Sequence, residues 1–303
     1  MALPEAGSVI LGLWPIAGIT TIGVTDADRD ATMAAAIDHG IRSFDTAFAY
    51  GLDGESDRCI RRHVQPIRDR CTVISKVGQR YDPSGRRYVD ARPETLRRDA
   101  IESLRRCGLE HFDLLMLHQV DPAVPLQASA AAMADLRREG LTTEVGVCNV
   151  TTEQLATFGR EVAPAACQLP LNLMQSPQAE LLEELTRRSI AGHVYWTLMK
   201  GLLAGRITRD HVFAEGDSRP NYEIFQGDSR KAAHDLVDRL GILATNHGCS
   251  VAALSIAWTL GQPGVTAALV GARRPEQIPE IAEAAAVPAA VVEQVEAARR
   301  AVL

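Results

Sequence analysis

The stretch "RPETLRRDAIESLRRCGLEHFDLLMLH", from Arg92 to His118, contains one complete helix-and-strand unit. Pro93 suits the first turn of a helix, apolar residues then recur on one helical face, and Gly108 can supply a left-handed stop. The run from 112 to 118 is almost wholly apolar until it ends at His118. An apolar strand joined to an amphipathic helix is typical of a parallel sheet that helices cover from outside.

The same rhythm extends over nearly the whole chain of 303 residues. Eight apolar runs are predicted as strands, at 8 to 14, 41 to 46, 71 to 77, 112 to 118, 143 to 149, 166 to 171, 192 to 198 and 266 to 271. Further helices are predicted to begin at Asp26 as N-cap, at Pro177 and near Ser229, and a helix-rich insertion covers about 229 to 260. This pattern predicts a single domain, 1 to 303, folded as a (β/α)₈ TIM barrel with extra helices near its C-terminus. The rival is an open doubly wound sheet, but no GxGxxG follows the first strand.

Charge, apolar runs and cysteine spacing exclude several classes of binding partner. The formal net charge is -6 and no basic stripe occurs, which argues against nucleic acid. No apolar run approaches a membrane span, and the N-terminus lacks the basic start of a signal peptide. The six cysteines form neither a CxxC pair nor a cluster with zinc spacing, so we expect a reducing cytoplasm and no metal site.

Polar residues stand where the predicted strands end. The carboxyl ends of barrel strands carry the active site in this fold, and they hold Asp45, Lys76, His118, Asn149, Gln168 and Tyr195, with Tyr50 in the loop after Asp45. A buried ammonium needs a partner, which Asp45 can supply to Lys76 on the next strand. One interpretation is structural: an ion pair joins two strands, Tyr50 anchors a loop and His118 is a core residue. The other is chemical, because an ammonium beside a tyrosine lowers the pKa of the phenol toward a useful range.

Seven motifs, in order, resemble those of the aldo-keto reductases, which are nicotinamide-dependent barrels without a Rossmann domain. They are "FDTAFAYG" with "GES", "ISKVG", "ESLRRCGLEHFDLLMLHQVD", "GVCN", "CQLPLN", "YWTLMKGLLAGR" and "VGARRPEQIPE". The resemblance implies a catalytic set of Asp45, Tyr50, Lys76 and His118. Tyr50 would donate a proton to the substrate carbonyl, Lys76 paired with Asp45 would lower the pKa of Tyr50, and His118 would hydrogen-bond the carbonyl oxygen. The implied reaction is reversible reduction of an aldehyde or ketone to an alcohol.

The same resemblance implies the cofactor contacts. Asn149 and Gln168 would meet the nicotinamide carboxamide, and the ring of Tyr195 would stack on it. Arg273 is suited to an adenosine 2′-phosphate, so we expect NADP(H) rather than NAD(H). The remaining expected contacts are Cys148, Trp196, Thr197, Leu198, Lys200, Gly201, Arg206, Gly271, Gln277 and Glu280. Four positions depart from the family pattern: Cys148 replaces serine, Trp196 and Thr197 replace serine and proline, and Ile281 replaces asparagine.

Substrate identity is not specified by these motifs. Trp14 and Phe48 are expected to form an apolar wall beside the carbonyl of a small-molecule substrate, although Trp14 could instead plug the barrel end. Two alternatives stay open: an NADPH-binding regulatory or sensor subunit on the same fold, and a Schiff-base lyase with Lys76 as nucleophile. The sequence gives no indication of oligomeric state.

Overall fold

The structure, a computed structural model, describes residues 3–19, 22–175 and 178–303. Its ten strands are β1 (Ser8–Gly12), β2 (Ser43–Asp45), β3 (Thr72–Val77), β4 (Gln79–Tyr81), β5 (Arg87–Val89), β6 (Phe112–Leu117), β7 (Thr142–Cys148), β8 (Ala166–Pro170), β9 (Ala191–Tyr195) and β10 (Ala267–Gly271). Eight of them close a parallel barrel in the order β1, β10, β9, β8, β7, β6, β3, β2. The predicted barrel is therefore confirmed. The antiparallel hairpin of β4 and β5 was not predicted.

Helices surround the barrel and carry the apolar faces that cover it. They are Trp14–Ala17, Asp26–Asp38, Glu55–Cys59, Pro93–Cys107, Leu126–Arg138, Thr152–Glu161, Ala179–Arg187, Gly227–His247, Val251–Leu260, Ile278–Glu283 and Ala289–Arg300. The predicted insertion between the last two barrel strands is the pair Gly227–His247 and Val251–Leu260. The final two helices follow β10, so the extra helices near the C-terminus are confirmed as well.

The predicted helix boundaries are mostly right. The helix Pro93–Cys107 begins at Pro93 and ends at Gly108, whose φ is 68°. The prediction of Asp26 as an N-cap was wrong, because Thr25 holds that position. The Thr25 hydroxyl accepts from the amide of Asp28 at 3.2 Å, and the Asp28 carboxylate accepts from the amide of Thr25 at 2.8 Å. The predicted start at Pro177 lies outside the described residues.

The barrel interior explains why polar side chains converge at one end. Side chains two residues apart on a strand face the same way. Ile74, Leu114, Met116 and Ala166 belong to one buried apolar cluster together with Ile10, Cys148, Ala267 and Leu269. The next positions on the same faces of β3, β6 and β8 are Lys76, His118 and Gln168. An apolar layer thus ends in a polar layer at the carboxyl ends of the strands.

Within the described ranges, no single helix is both long and apolar enough to cross a membrane. Gly227–His247 and Val251–Leu260 reach that length and composition only as a pair, and the pair is bent by 99°.

Candidate active site

The loop after β2 places the hydroxyl of Tyr50 over the barrel end. Its first residues follow β3, since the amides of Thr46 and Phe48 donate to the carbonyls of Ile74 (2.8 Å) and Lys76 (2.9 Å). The chain then turns, and the Tyr50 carbonyl accepts from the Ser56 hydroxyl at 2.8 Å. Gly51 permits this turn, because its φ is +109° and a Cβ there would lie 1.9 Å from the Glu55 carboxylate.

Lys76 connects two of the predicted catalytic residues. Its ammonium forms an ion pair with Asp45, and both side chains are about 1% exposed. The same Nζ donates to the Tyr50 hydroxyl at 3.0 Å and to the Thr46 carbonyl at 3.1 Å. The second oxygen of Asp45 accepts from the amide of Gln168 at 3.0 Å. Three oxygen acceptors, on Asp45, Thr46 and Tyr50, therefore fix the position of the ammonium.

The pKa values of this cluster are set by burial and by the ion pair. Burial lowers the pKa of Lys76, but electrostatic interactions, first with Asp45 and then with Tyr50, outweigh it, so the ammonium stays protonated. Burial raises the pKa of Tyr50 to about 12, and the Lys76 charge offsets only part of that rise. Lys76 therefore acts on the pKa of Tyr50 in the predicted direction, but burial outweighs this effect and the net pKa lies above its ordinary value. The phenol is a protonated group at neutral pH and can donate.

His118 stands beside Tyr50 with an unused ring nitrogen. The two ring centroids are 5.9 Å apart in an edge-on arrangement. Burial, the Lys76 charge and the Arg87 charge hold the pKa of His118 well below its usual range, so the imidazole is neutral. Its Nδ1 is buried and has no hydrogen-bond partner among the described residues. A neutral imidazole at this place can hydrogen-bond a carbonyl oxygen that reaches Tyr50.

The residues predicted to meet the nicotinamide lie together at the ends of β7, β8 and β9. The Asn149 amide donates to the His118 carbonyl at 3.1 Å, and its oxygen accepts from the Tyr195 hydroxyl at 2.7 Å. Asn149 is exposed and has a left-handed φ of 59°. Gln168 is buried and uses its amide nitrogen on Asp45, while Cys148 is buried with its thiol 3.8 Å from the sulfur of Met116. Asn149 and Tyr195 therefore form the accessible part of this group.

The turn after β9 has an unusual backbone. Trp196, Met199 and Lys200 all have positive φ, at 62°, 40° and 54°, and Gly201 follows at 93°. The amide of Gly201 donates to the Leu198 carbonyl at 2.9 Å, so it is used within the turn. Thr197 is buried and donates to the Leu269 carbonyl at 3.4 Å. Non-glycine residues in this region cost about 1–3 kcal/mol each, and such strain clusters at functional sites.

Arg273 and Arg274 follow β10 and lie near Arg219, which belongs to the segment between β9 and β10. The three arginines differ in their partners. Arg219 pairs with Asp217 at 2.5 Å, and Arg274 pairs with Asp28. Arg273 is half-buried and has no ion pair with a described residue. Burial and the charges of Arg219 and Arg274 lower the pKa of Arg273, which marks a site of concentrated positive charge. An anion at this position would relieve that repulsion.

The other residues predicted near the cofactor have structural contacts of their own. Arg206 and Glu280 form an ion pair with each other at 2.6 Å. The Gln277 side chain accepts from the amides of Arg273 and Arg274, at 2.9 and 3.2 Å, and so holds the arginine loop. A Cβ at Gly271 would lie 2.4 Å from the ring of Pro15, which explains the glycine. Lys200 lies over the ring of Tyr222, 4.1 Å from its centroid, and Ile281 is buried.

The two residues predicted as a substrate wall have different ring contacts. The Trp14 ring is 5.1 Å from the Tyr50 ring, centroid to centroid. The Phe48 ring contacts two arginines, with the guanidinium carbons of Arg80 and Arg106 at 5.2 and 4.9 Å from its centroid. Trp14 thus borders the reactive group, whereas Phe48 packs toward the helix Pro93–Cys107.

Two residues at the site were not predicted. His193 is fully buried in β9, and neither ring nitrogen has a hydrogen-bond partner in the described parts of the chain. Burial and the Lys76 charge lower its pKa to about 4, so it is neutral. Its position two residues before Tyr195 was the available signal, since both must face the barrel interior. Arg87, in the unpredicted hairpin, lies over the Trp14 ring at 5.8 Å.

Searches of known proteins agree on one family. The family model described as "Aldo/keto reductase family" matches residues 8–300. The chain is 33% identical over 283 residues to the aldo-keto reductase YhdN of Bacillus subtilis (strain 168), covering 92% of this chain and 85% of that protein. It is 28% identical over 286 residues to the NADH-specific methylglyoxal reductase of Escherichia coli (strain K12), covering 89% and 87%. The structure of the glycerol dehydrogenase AKR11B4 from Gluconobacter oxydans is similar with a TM-score of 0.90, 29% identity and coverage of 100% and 94%.

Proposed function

The chain belongs to the aldo/keto reductase family, and we propose that it reduces an aldehyde or ketone to an alcohol, reversibly, with NADPH as cofactor. The observation that carries the proposal is the 3.0 Å contact from Lys76 to the Tyr50 hydroxyl, made by an ammonium that Asp45 also holds. Position and protonation state both suit Tyr50 as the proton donor. The nicotinamide supplies the hydride when the cofactor is bound.

Residues of the protein supply the proton and orient the carbonyl. Tyr50 donates its proton to the carbonyl oxygen, and the neighbouring Lys76 charge stabilises the phenolate that this transfer leaves behind. The neutral His118 hydrogen-bonds the same oxygen and fixes its orientation. In the oxidation of an alcohol the phenolate takes the proton back. Asp45 and Gln168 keep Lys76 in place, which makes them positioning residues.

The accessible side chains fit a nicotinamide cofactor. The exposed Asn149 amide and the half-buried Tyr195 ring lie next to His118 and would hold the carboxamide and the ring. The NADPH preference rests on Arg273, whose guanidinium has no ion-pair partner in the described chain and is available to a 2′-phosphate. The name of one relative specifies NADH, so this preference needs its own test.

The Schiff-base alternative conflicts with the state of Lys76. An amine must be deprotonated to attack a carbonyl, yet the pKa of Lys76 is raised because Asp45 binds its charged form. No observation favours the regulatory-subunit alternative over turnover.

Oxidation of NADPH across a panel of aldehydes and ketones tests the reaction. Tyr50→Phe removes the proton donor and keeps the ring, so kcat/KM should fall about 100-fold or more. Tyr88→Phe is the matched control, because Tyr88 is 40% exposed in the hairpin, and it should keep its activity. Equal turnover by Tyr50→Phe and the wild type would overturn the mechanism.

Quenching of protein fluorescence by NADPH and NADH tests the cofactor. Arg273→Gln should weaken NADPH binding about tenfold or more and leave NADH binding nearly unchanged. Arg274→Gln, in which the lost charge was already paired with Asp28, is the control. A wild type that binds both cofactors equally would contradict the assignment of Arg273.

A further inference from the structure

The hairpin of β4 and β5 brings a cation to the mouth of the site. It leaves the barrel directly after β3, the strand that carries Lys76. The Gln79 amide donates to the Gln119 side chain at 2.8 Å, and the Asp90 amide donates to the Gly78 carbonyl at 3.0 Å. These bonds hold both ends of the hairpin at the barrel rim. Its second strand begins with Arg87, and the guanidinium carbon of Arg87 lies 5.8 Å from the centroid of the Trp14 ring.

Arg87 differs from the other arginines of this segment. Arg80 pairs with Asp99, Arg86 pairs with Asp82 at 3.2 Å, and Arg92 pairs with Asp90 at 2.6 Å. Arg87 is exposed, and its guanidinium makes no ion pair or hydrogen bond with a described residue, although its backbone pairs with Tyr81 in the hairpin. Its forked set of donors is therefore available to a ligand.

The position of Arg87 connects it to the reacting groups. Trp14, on which Arg87 lies, is 5.1 Å from the Tyr50 ring, and Tyr50 is 5.9 Å from His118. The charge of Arg87 acts to lower the pKa of His118 at the end of β6 and that of Tyr195 at the end of β9. The two charges that lower the pKa of His118, those of Lys76 and Arg87, are both positive. Lys76 is neutralised by Asp45, so Arg87 supplies the uncompensated charge at the mouth.

We propose that Arg87 recognises an anionic group, a carboxylate or a phosphate, on the carbonyl substrate, and that Trp14 packs against the atoms between that group and the carbonyl. The inference rests on the proposed reductase function and adds a substrate class to it. A guanidinium binds either anion through two parallel hydrogen bonds, which also fixes the direction from which the carbonyl approaches Tyr50.

Matched pairs of substrates test the proposal. One pair is 4-carboxybenzaldehyde and its uncharged isostere 4-formylbenzamide, and the other is glyceraldehyde 3-phosphate and glyceraldehyde. The wild type should favour the anion of at least one pair by about tenfold or more in kcat/KM. Arg87→Gln should remove that preference while kcat/KM for the neutral compounds stays within about twofold. The control is Arg86→Gln, a loss of the same charge one residue away, which should change neither value. The pair that shows the preference distinguishes a carboxylate substrate from a phosphate substrate.

Two outcomes would overturn the proposal. In one, the wild type shows no preference for either anion. In the other, Arg87→Gln lowers kcat/KM equally for charged and uncharged compounds, which would make Arg87 a support for Trp14 alone.

A binding measurement separates this proposal from the reductase function. Benzoate should quench the tryptophan fluorescence of the wild type more strongly than benzamide, and Arg87→Gln should abolish the difference. If every carbonyl compound fails to be turned over while benzoate binding depends on Arg87, then the reductase function is wrong and the anion site stands. If neither benzoate nor inorganic phosphate binds the wild type in an Arg87-dependent way, the anion site is wrong whatever the activity.

Discussion

Phe48 and Trp14 are two aromatic residues with arginines over their rings, yet their surroundings differ. The arginines on Phe48 are both engaged, since Arg80 pairs with Asp99 and Arg106 pairs with Glu102 at 2.9 Å. The arginine on Trp14 has no carboxylate partner among the described residues. We refer to the first group, Phe48 with Arg80 and Arg106, as the wall cluster, and to Trp14 with Arg87 as the mouth cluster.

The difference shows that the carboxylate partners of an arginine distinguish a structural contact from one that is available to a ligand. In the wall cluster each positive charge is satisfied by the helix Pro93–Cys107, so the contacts fasten that helix to the loop carrying Tyr50. In the mouth cluster the charge is left for a ligand. The same pair of residue types therefore stabilises the fold in one place and is available for recognition in the other.

The largest effect is expected where a paired cation is fully buried. Lys76→Met leaves the Asp45 carboxylate without its charged partner, so the free energy of unfolding should fall by about 3–5 kcal/mol and activity by about 100-fold or more. Urea denaturation and NADPH oxidation measure the two effects. Lys231→Met, which breaks an exposed pair with Asp235, should cost less than about 1 kcal/mol. Similar losses in the two variants would show that burial does not determine how much a paired cation contributes to the free energy of unfolding.

A smaller loss is expected in the wall cluster. Asp99 is fully buried, and burial raises its pKa to about 6 although Arg80 lowers it. Since this folded-state pKa exceeds the unfolded value, the folded protein binds the proton more strongly, and stability falls as pH rises through about 6. Arg80→Gln should raise the pKa of Asp99 further and cost about 1–3 kcal/mol at neutral pH. Denaturation at about pH 5 should show a smaller loss than at about pH 8. A loss independent of pH would mean that Arg80 does not act through Asp99.

The two aromatic residues give the most direct comparison. Phe48→Leu should lower the free energy of unfolding by about 1–2 kcal/mol, because two cation–π contacts are lost, with kcat/KM within about twofold of the wild type. Trp14→Leu should lower kcat/KM about tenfold with a smaller change in stability. Thermal or urea unfolding and steady-state kinetics measure both. The opposite pattern would reverse the roles assigned to the two clusters.

The smallest expected effect is that of pH on the reaction. The phenol of Tyr50 has a pKa near 12, and the pKa of His118 lies well below its usual range. Neither group changes charge near neutrality, so kcat/KM for reduction of an uncharged aldehyde should be nearly constant between about pH 6 and about pH 9. A steep change centred near neutrality would show that one of these pKa values is different in the cofactor complex.

Much of the fold and the catalytic group could be predicted from the sequence because the signals are local. Each barrel strand is an apolar run. Asp45, Lys76 and His118 are polar residues at or near the carboxyl ends of three of these runs, β2, β3 and β6. The hairpin was missed because its strands are short and partly polar. The Thr25 cap was also readable, since Thr25 and Asp28 have the spacing of a capping box.

The remaining properties depend on contacts between distant segments. The raised pKa of Tyr50 follows from how much of the barrel end surrounds it, which one sequence does not give. The different positions of Trp14 and Phe48 depend on where the helix Pro93–Cys107 and the hairpin place their arginines. Likewise, Arg273 becomes distinctive only because its two neighbours have carboxylate partners, Asp217 for Arg219 and the distant Asp28 for Arg274.

The hairpin of β4 and β5 is also a segment whose sequence and length can vary without disturbing the barrel. Gly78 and Asp90 are joined by a backbone hydrogen bond, and the turn is closed internally by Asp82, whose amide donates to the Arg86 carbonyl at 2.9 Å. A segment whose two ends lie side by side can be lengthened, shortened or exchanged while the strands on either side keep their register. Evolution, or an engineer, can therefore alter which compounds enter by replacing this one insert while the chemistry beneath it is inherited unchanged.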